Sequence, residues 1–505
     1  MAVGTHKATY ERRAQVRSQF LQRARHNALL TIPSLLPLEG HTGSSHLIEP
    51  YQGIGSMGTT HMSSRITIGL LPAGRPYMRL DLPAQVKMQM GGEVDVNGQK
   101  QLAMVEQLIQ SKVEGAGWRT TTLQSVQQLI VAGNVVEFVM DDGAIRLYRL
   151  DQFTVRRDWR GRWVELIIQE KFPRDVAPDG APGDNGDSEE EVELYTKIEL
   201  VQEGDTEFYR RTQQWGDGSP LDSQTIWDME EVPYLVLRWM ATPGEDYGRA
   251  KVEEHIADLR SLDALDKAAL EMAGMGSRNF VMVRPGANAS SIKRRLMLGI
   301  NGDLLVGDPD SVELKSFDNQ AGYQITETQS NKLRTGLAQA FLLSSAGQRN
   351  AERVTATEIE RDLAELEAAL GGVFSSLAQE MMERRTKILM GQMRANEELP
   401  PFEDGQLVPV ILTGLEALSR ERDVSRAMQA SQVVQAFGES AMDVVKADVI
   451  LGRAFIGLGF PGAINSPEEV AQIRNARAQQ AQQQSMVDKV APGVAKEAVK
   501  QAGEQ

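Results

Sequence analysis

Three kinds of side chain could do chemistry in this sequence: glycines spaced like a phosphate-binding loop, histidines, and clusters of arginine and lysine. The glycines Gly53, Gly55 and Gly58 form a G-x-G-x-x-G run, and Asp81 stands about where a ribose-binding acid would be expected. Such a loop must follow a strand, so that amides at the next helix start can face a pyrophosphate. Here the approach is Glu49-Pro50-Tyr51-Gln52, and Pro72 and Pro76 interrupt the return to a second strand. A glycine-rich helix start is the better reading. No G-x-x-x-x-G-K-S/T run occurs, so nothing marks a P-loop motor.

The histidines are His6, His26, His41, His46, His61 and His255. None has H-E-x-x-H spacing, and no spaced carboxylate completes a metal site around His41 and His46, so they read as surface residues. No G-x-S-x-G elbow is present, and Ser344-Ser345 has no base nearby. The chain contains no cysteine, which excludes disulfides, thiol nucleophiles and cysteine-ligated metals. The residues predict neither an enzyme nor a bound cofactor or metal.

The charges are more informative. The 505 residues carry 54 Lys+Arg against 69 Asp+Glu, a net charge of −15, which argues against a protein that coats nucleic acid. Within this acidic chain, Arg278, Arg284, Lys293, Arg294 and Arg295 occupy a window with no acid before Gly302. It reads either as a pair of salt-bridged strands or as an interaction surface. A second group, Gln348, Arg349, Asn350 and Arg353, lies in the loop between two helix-forming stretches, and reads either as an interaction feature or as plain capping and solubility. Arg12, Arg13, Arg17, Arg23 and Arg25 stand on an amino-terminal helix, which is expected to pack on its own chain rather than touch nucleic acid. The acidic connection 179–191 lacks the ligand spacing of a calcium loop and reads as a solvated loop. No apolar run approaches the ~18–20 residues of a membrane span. The amino terminus lacks a signal-peptide core, so a cytoplasmic origin is expected.

These residues are positioned by alternating helical and β segments. Residues 100–132 read as helices. Runs at 135–139, 145–150, 163–168, 192–200 and 234–239 are β-branched or aromatic, as in an antiparallel meander. Residues 251–276 lack proline and predict a helix of ~39 Å at ~1.5 Å per residue. Short β runs at 280–283, 304–306 and 312–314 separate it from a second helix at 320–343. Thr355 and Glu358 have capping-box spacing before Ile359, Leu363, Leu366, Leu370, Val373, Leu377 and Met381, the clearest helical pattern in the chain, with Gly371-Gly372 as a point of bending. Further helices are expected at 415–437 and 441–451, and the Ala/Gln-rich 471–484 reads as helical or frayed.

That order resembles the portal, or head-to-tail connecting, proteins of short-tailed phages. Short words carry the resemblance: Thr31-Ile-Pro-Ser-Leu-Leu-Pro, Leu129-Ile-Val-Ala-Gly-Asn-Val135, Leu147-Tyr-Arg-Leu150, Tyr247-Gly-Arg and Asp258-Leu-Arg-Ser-Leu262. Glu352-Arg-Val-Thr-Ala356, Leu370-Gly-Gly-Val-Phe-Ser375 and Thr413-Gly-Leu-Glu-Ala417 continue it. The resemblance implies a mainly α chain with an α+β wing, assembled as a ring of twelve copies around double-stranded DNA. Residues 1–250 with 355–400 would be the wing, 251–277 and 319–343 the stem helices, 278–318 the clip, 344–354 the tunnel loop, 401–480 the crown and 481–505 a tail.

By the same resemblance the ring sits at the portal vertex of the virion, after assembly in the host cytoplasm. It works with the terminase large subunit, a tail adaptor, and major capsid, scaffolding and internal core proteins, without a membrane. The basic window at Arg278, Arg284, Lys293, Arg294 and Arg295 would then meet terminase and the adaptor. Gln348, Arg349, Asn350 and Arg353 would touch DNA. The alternative is a non-viral helical scaffold without a DNA channel.

Overall fold

The computed structural model describes residues 5–41, 43–72, 76–82, 96–178, 180–182, 191–276, 279–283, 285, 289–298, 312–316, 320–343, 370, 372–399, 408–411, 429, 455, 469–477 and 479–480. In chain order, the first elements are α1 (His6–Leu29), α2 (Ile54–Leu70), β1 (Met78–Asp81), α3 (Val96–Gly115) and α4 (Trp118–Ala132). A β-rich stretch follows: β2 (Asn134–Val139), β3 (Ile145–Tyr148), β4 (Phe153–Arg157), β5 (Trp163–Pro173), β6 (Glu191–Glu203), β7 (Thr206–Trp215), β8 (Pro220–Asp228) and β9 (Tyr234–Arg238). Then come α5 (Ile256–Gly276), β10 (Asn279–Val283), α6 (Ala289–Leu298), β11 (Val312–Ser316) and α7 (Gln320–Ala340). Last are α8 (Val373–Leu377), a π-turn (Ala378–Glu383), α9 (Arg384–Ala395) and β12 (Val408–Ile411). The chain divides into two compact units, one drawn from Met1–Ile68, Trp118–Met140 and Ala144–Val354, the other from Gly69–Gly117, Asp141–Gly143 and Thr355–Gln505.

In the first unit α1 begins at Thr5, whose Oγ1 accepts the Ala8 amide at 3.3 Å and so satisfies a donor left free at the helix start. Its tyrosine and arginines then tie it to the sheet beneath. Tyr10 packs edge-on against Tyr195 at 5.5 Å, over Ile167. Arg13 pairs with Glu165 at 3.0 Å and Arg25 with Glu39 at 3.2 Å. Buried Arg17 donates to the Tyr10 hydroxyl and the Phe153 carbonyl. The expected packing of this basic helix on its own chain holds for these arginines.

Each expected β run between 135 and 239 contains a strand, but they do not form one meander. A three-stranded sheet has the order β3-β2-β9, and β4-β5-β6-β7-β8 is a separate five-stranded antiparallel sheet. The strands β4, β7 and β8 were not expected: β7 and β8 are too polar to show a clean alternation, and β4 is only five residues long. β7 illustrates the reason. Its Arg210 faces Glu199 of β6 at 2.7 Å and Gln213 donates to Thr196 at 2.8 Å, so cross-strand polar pairs replace an apolar stripe.

In the second unit β1 pairs antiparallel with β12, Met78 opposite Ile411. Neither strand was expected. Asp81 therefore lies at a strand end, where its carboxylate accepts the Leu82 amide at 2.9 Å. Buried Tyr77 and Thr386 share a hydrogen bond at 3.1 Å, and Glu106 of α3 accepts the Leu80 amide at 2.8 Å. Of the long helix expected after Thr355, residues 355–369 and Gly371 lie outside the described residues. Gly372 occupies the N-cap of α8, and the irregular turn comes later, at Ala378–Glu383. The helices expected at 415–437 and 441–451 also fall outside, whereas 469–477 is helical.

Candidate functional site

Four of the family-like words meet where α5 leaves the first unit's body, and the reason is close backbone approach. Gly133 ends α4 with φ +74°, and a Cβ there would lie 2.8 Å from the Ala250 nitrogen and the Gly248 oxygen. Gly248 is equally confined, its Cβ position being 2.8 Å from the Gly133 oxygen. Between them Asn134 accepts the Gly248 amide at 2.7 Å and donates to the Gly248 carbonyl at 3.0 Å. Asn27 of α1 donates to the Val131 carbonyl at 3.0 Å, and the Thr31 hydroxyl closes back on the Asn27 carbonyl at 2.7 Å. Tyr247 is buried, and burial pushes its hydroxyl up to about 12. Unionised, it accepts the Val155 amide at 3.2 Å. All these groups are satisfied within the clasp, which makes it costly to disturb.

The glycine run has a mechanical role in the same place. Gln52 accepts the Gly55 amide at 2.8 Å and donates to the Leu30 carbonyl at 2.7 Å. A Cβ at Gly55 would collide with that same carbonyl oxygen, and one at Gly58 would lie 2.6 Å from the Phe341 ring. The glycines admit neighbouring backbone and an aromatic ring. The helix-start reading is thus borne out.

A 3₁₀ turn, Val252–His255, leads into α5, so the α-helix itself is shorter than the run of 251–276 suggested. Its first turns are anchored: Leu259 and Leu262 are fully buried, and Asp263 accepts the Tyr51 amide at 2.6 Å. Arg260 lies 2.8 Å from His26 Nε2, whose pKa is lowered by burial and then by that guanidinium, so the neutral ring accepts the bond. Further along, Asp266 pairs with Arg334 of α7 at 2.8 Å. Beyond that pair large apolar side chains face water: Leu270 of α5 and Ile325 of α7 are each 64% exposed. Four acids on α5 oppose two bases, and α7 adds Glu327, Lys332 and Arg334, so the two helices together are close to neutral.

Between α5 and α7 lies a small module in which β10 pairs antiparallel with β11, Asn279 opposite Ser316. Lys293, Arg294 and Arg295 belong to the helix α6, not to salt-bridged strands as one reading had it. Helical spacing was hidden by the shortness of the segment. Ile292 is buried while Lys293 and Arg294 are exposed, and among the described residues no ion pair engages either. The helix ends in Met297 and Leu298, 77% and 71% exposed, which charge-based reasoning overlooked. Arg278, Arg284, Gln348, Arg349, Asn350 and Arg353 lie outside the described residues.

The histidines were expected at the surface, but His26, His61 and His255 are half-buried, and the largest departure is at His6. His6 is buried, with Nε2 2.9 Å from Thr212 Oγ1, and its pKa is lowered to about 4 by burial and by neighbouring Lys197. Among the described residues no group of three His, Asp or Glu side chains gathers as a metal site, and no helix is long and apolar enough to cross a membrane.

Comparison with known proteins adds a lineage to this geometry. The portal protein of Escherichia phage T7 is 31% identical over 434 residues, covering 83% of this chain and 80% of that protein. The portal protein of Enterobacteria phage SP6 is 28% identical over 518 residues, covering 97% and 96%. Among solved structures, a chain of the virion of a native gene transfer agent particle aligns over 75% of this chain and 86% of that one. It does so at 12% identity with a TM-score of 0.35, which carries no structural argument. The family model described as bacteriophage head to tail connecting protein matches residues 4–465, and the chain belongs to that family.

Proposed function

We propose that this chain is the portal of a short-tailed phage particle, a ring through which double-stranded DNA enters the head and later leaves it. The family match over residues 4–465 carries this reading. The exposed apolar residues of α5, α6 and α7 support the ring, because an isolated chain leaves them in water and neighbouring copies can cover them. Twelve copies is the proposed number. On this reading α5 and α7 are the stem, 278–318 the clip, 344–354 the tunnel loop and 401–480 the crown, with 1–250 and 355–400 as the wing. A near-neutral stem suits passage, since a basic sleeve would hold phosphates by counterion release.

Lys293 and Arg294, exposed on α6, are the proposed contacts for the packaging terminase and then for the tail adaptor, together with Arg278, Arg284 and Arg295. Arg349 and Arg353, with Gln348 and Asn350, are proposed to touch DNA phosphates. The ring is a structural part of the virion and performs no catalysis. The test is a packaging assay with purified components. Arg294→Glu combined with Arg295→Glu is expected to leave rings intact and abolish terminase docking; unchanged packaging refutes the clip assignment. Arg349→Ala with Arg353→Ala is expected to weaken DNA retention and its salt dependence, and no change in either refutes the contact.

A further inference from the structure

The turn joining β4 and β5 carries a tryptophan that the fold does not use. Trp159 is 87% exposed, the most exposed large apolar side chain among the described residues. The turn is shaped without it. Asp158 Oδ1 accepts the amides of Arg160 and Arg162, both at 2.9 Å, and Gly161 supplies a φ of +82°. The Asp158 amide returns to the Arg162 carbonyl at 2.8 Å. Its base is locked as well: Arg162 reaches Glu207 at 2.6 Å, and Arg157 donates to the carbonyls of Asp246, Gly161 and Val236.

Trp159 is therefore held by an ordered turn while standing in water. Arg160 lies over its ring at 4.7 Å, and Arg156 is exposed near the end of β4, which leads into the turn. Among the described residues no ion pair engages either guanidinium. A pre-ordered indole with the exposed Arg160 guanidinium over its ring, and Arg156 exposed three residues earlier, offers a large contact area at small entropic cost, with charge to steer the approach.

We infer that this turn is a docking knob, received by an apolar slot edged with carboxylates on another protein of the assembled particle. Duplex DNA supplies negative charge but keeps its bases stacked, leaving the indole no slot to enter. A protein slot with an acidic edge satisfies the ring and both guanidinium groups. The inference needs only the chain's membership of the connector family and is independent of the roles assigned to α6 and the 344–354 loop.

The test places a photoreactive aromatic residue at position 159 of the full chain, which is irradiated alone and in assembled particles. In particles, one other polypeptide is expected to crosslink, at a site beside Asp or Glu. Arg156→Glu with Arg160→Glu is expected to lower that yield at least tenfold, and lysine in place of the partner's carboxylates to restore it. The turn's hydrogen bonds use only the backbone at 156, 159 and 160, so these variants are expected to melt like the parent. Crosslinking to a second copy of this chain, to DNA or to nothing overturns the inference, as does a yield insensitive to charge reversal.

Discussion

The body formed by α1, α4 and the two larger sheets and the proposed stem and clip, formed by α5, α6, α7, β10 and β11, use the same residue types in opposite ways. In the body arginines are engaged internally: Arg17 is buried, Arg13 and Arg25 are paired, and Arg157 is bonded to three carbonyls. Large apolar side chains such as Tyr10, Trp118 and Phe153 are buried there. In the stem and clip Lys293 and Arg294 are exposed, and so are Leu270, Ile325, Met297 and Leu298. Apart from the Trp159 turn, the first region completes itself, and on the proposed reading the second is completed by what it meets. A connector needs both, a rigid seat and an unsatisfied projection.

Breaking the seat has the largest effect. Gly248→Val puts a branched side chain against the Gly133 carbonyl and is expected to destabilise by more than ~3 kcal/mol, read as a fall in thermal midpoint or loss of soluble protein. Leu262→Ala, in the buried first turns of α5, is expected to cost ~2–5 kcal/mol. The sharpest contrast comes from the same helix. Leu270→Asp with Ile325→Asp is expected to change monomer melting by less than ~0.5 kcal/mol, as surface changes do, yet to abolish rings in sedimentation. If the outer pair destabilises the monomer as much as Leu262→Ala, the contrast between the regions fails.

Acid should loosen the seat of α1. The buried His6 has a pKa of about 4, below its ordinary 6.5, so the unfolded chain binds more protons between those values. Stability contributed by neutral His6 is present above pH 6.5 and is lost as pH falls toward 4, by about 1–2 kcal/mol after solvent screening. His6→Gln is expected to flatten that part of the melting profile. Smallest of all, Asp266→Ala with Arg334→Ala removes a pair whose arginine is half exposed, and is expected to cost under ~1 kcal/mol in chemical denaturation.

The sequence was readable where a single period dominates. The strands β2, β5, β6 and β9 show it, because β-branched residues face a core, whereas α5 was legible as a long run without proline and its apolar residues drift around the helix. β7 was not readable, since cross-strand pairs such as Arg210 with Glu199 stabilise it without an apolar stripe. β1 and β12 pair across more than 300 positions, a contact no local pattern encodes. The glycine run was legible as a helix start, but not its reason, which is the Phe341 ring packed against Gly58. In the clip the basic window was visible as charge, whereas α6 and its exposed Met297 and Leu298 were not, being only ten residues of helix.

The central claim is that the bare stem and clip are completed by neighbouring copies in a closed ring. Cryo-electron microscopy of the purified full chain at micromolar concentration tests it most directly. A closed ring with an axial channel wide enough for duplex DNA, with Leu270 and Ile325 covered by adjacent subunits, is the predicted result. Monomers, or rings in which those residues still face water, would contradict it.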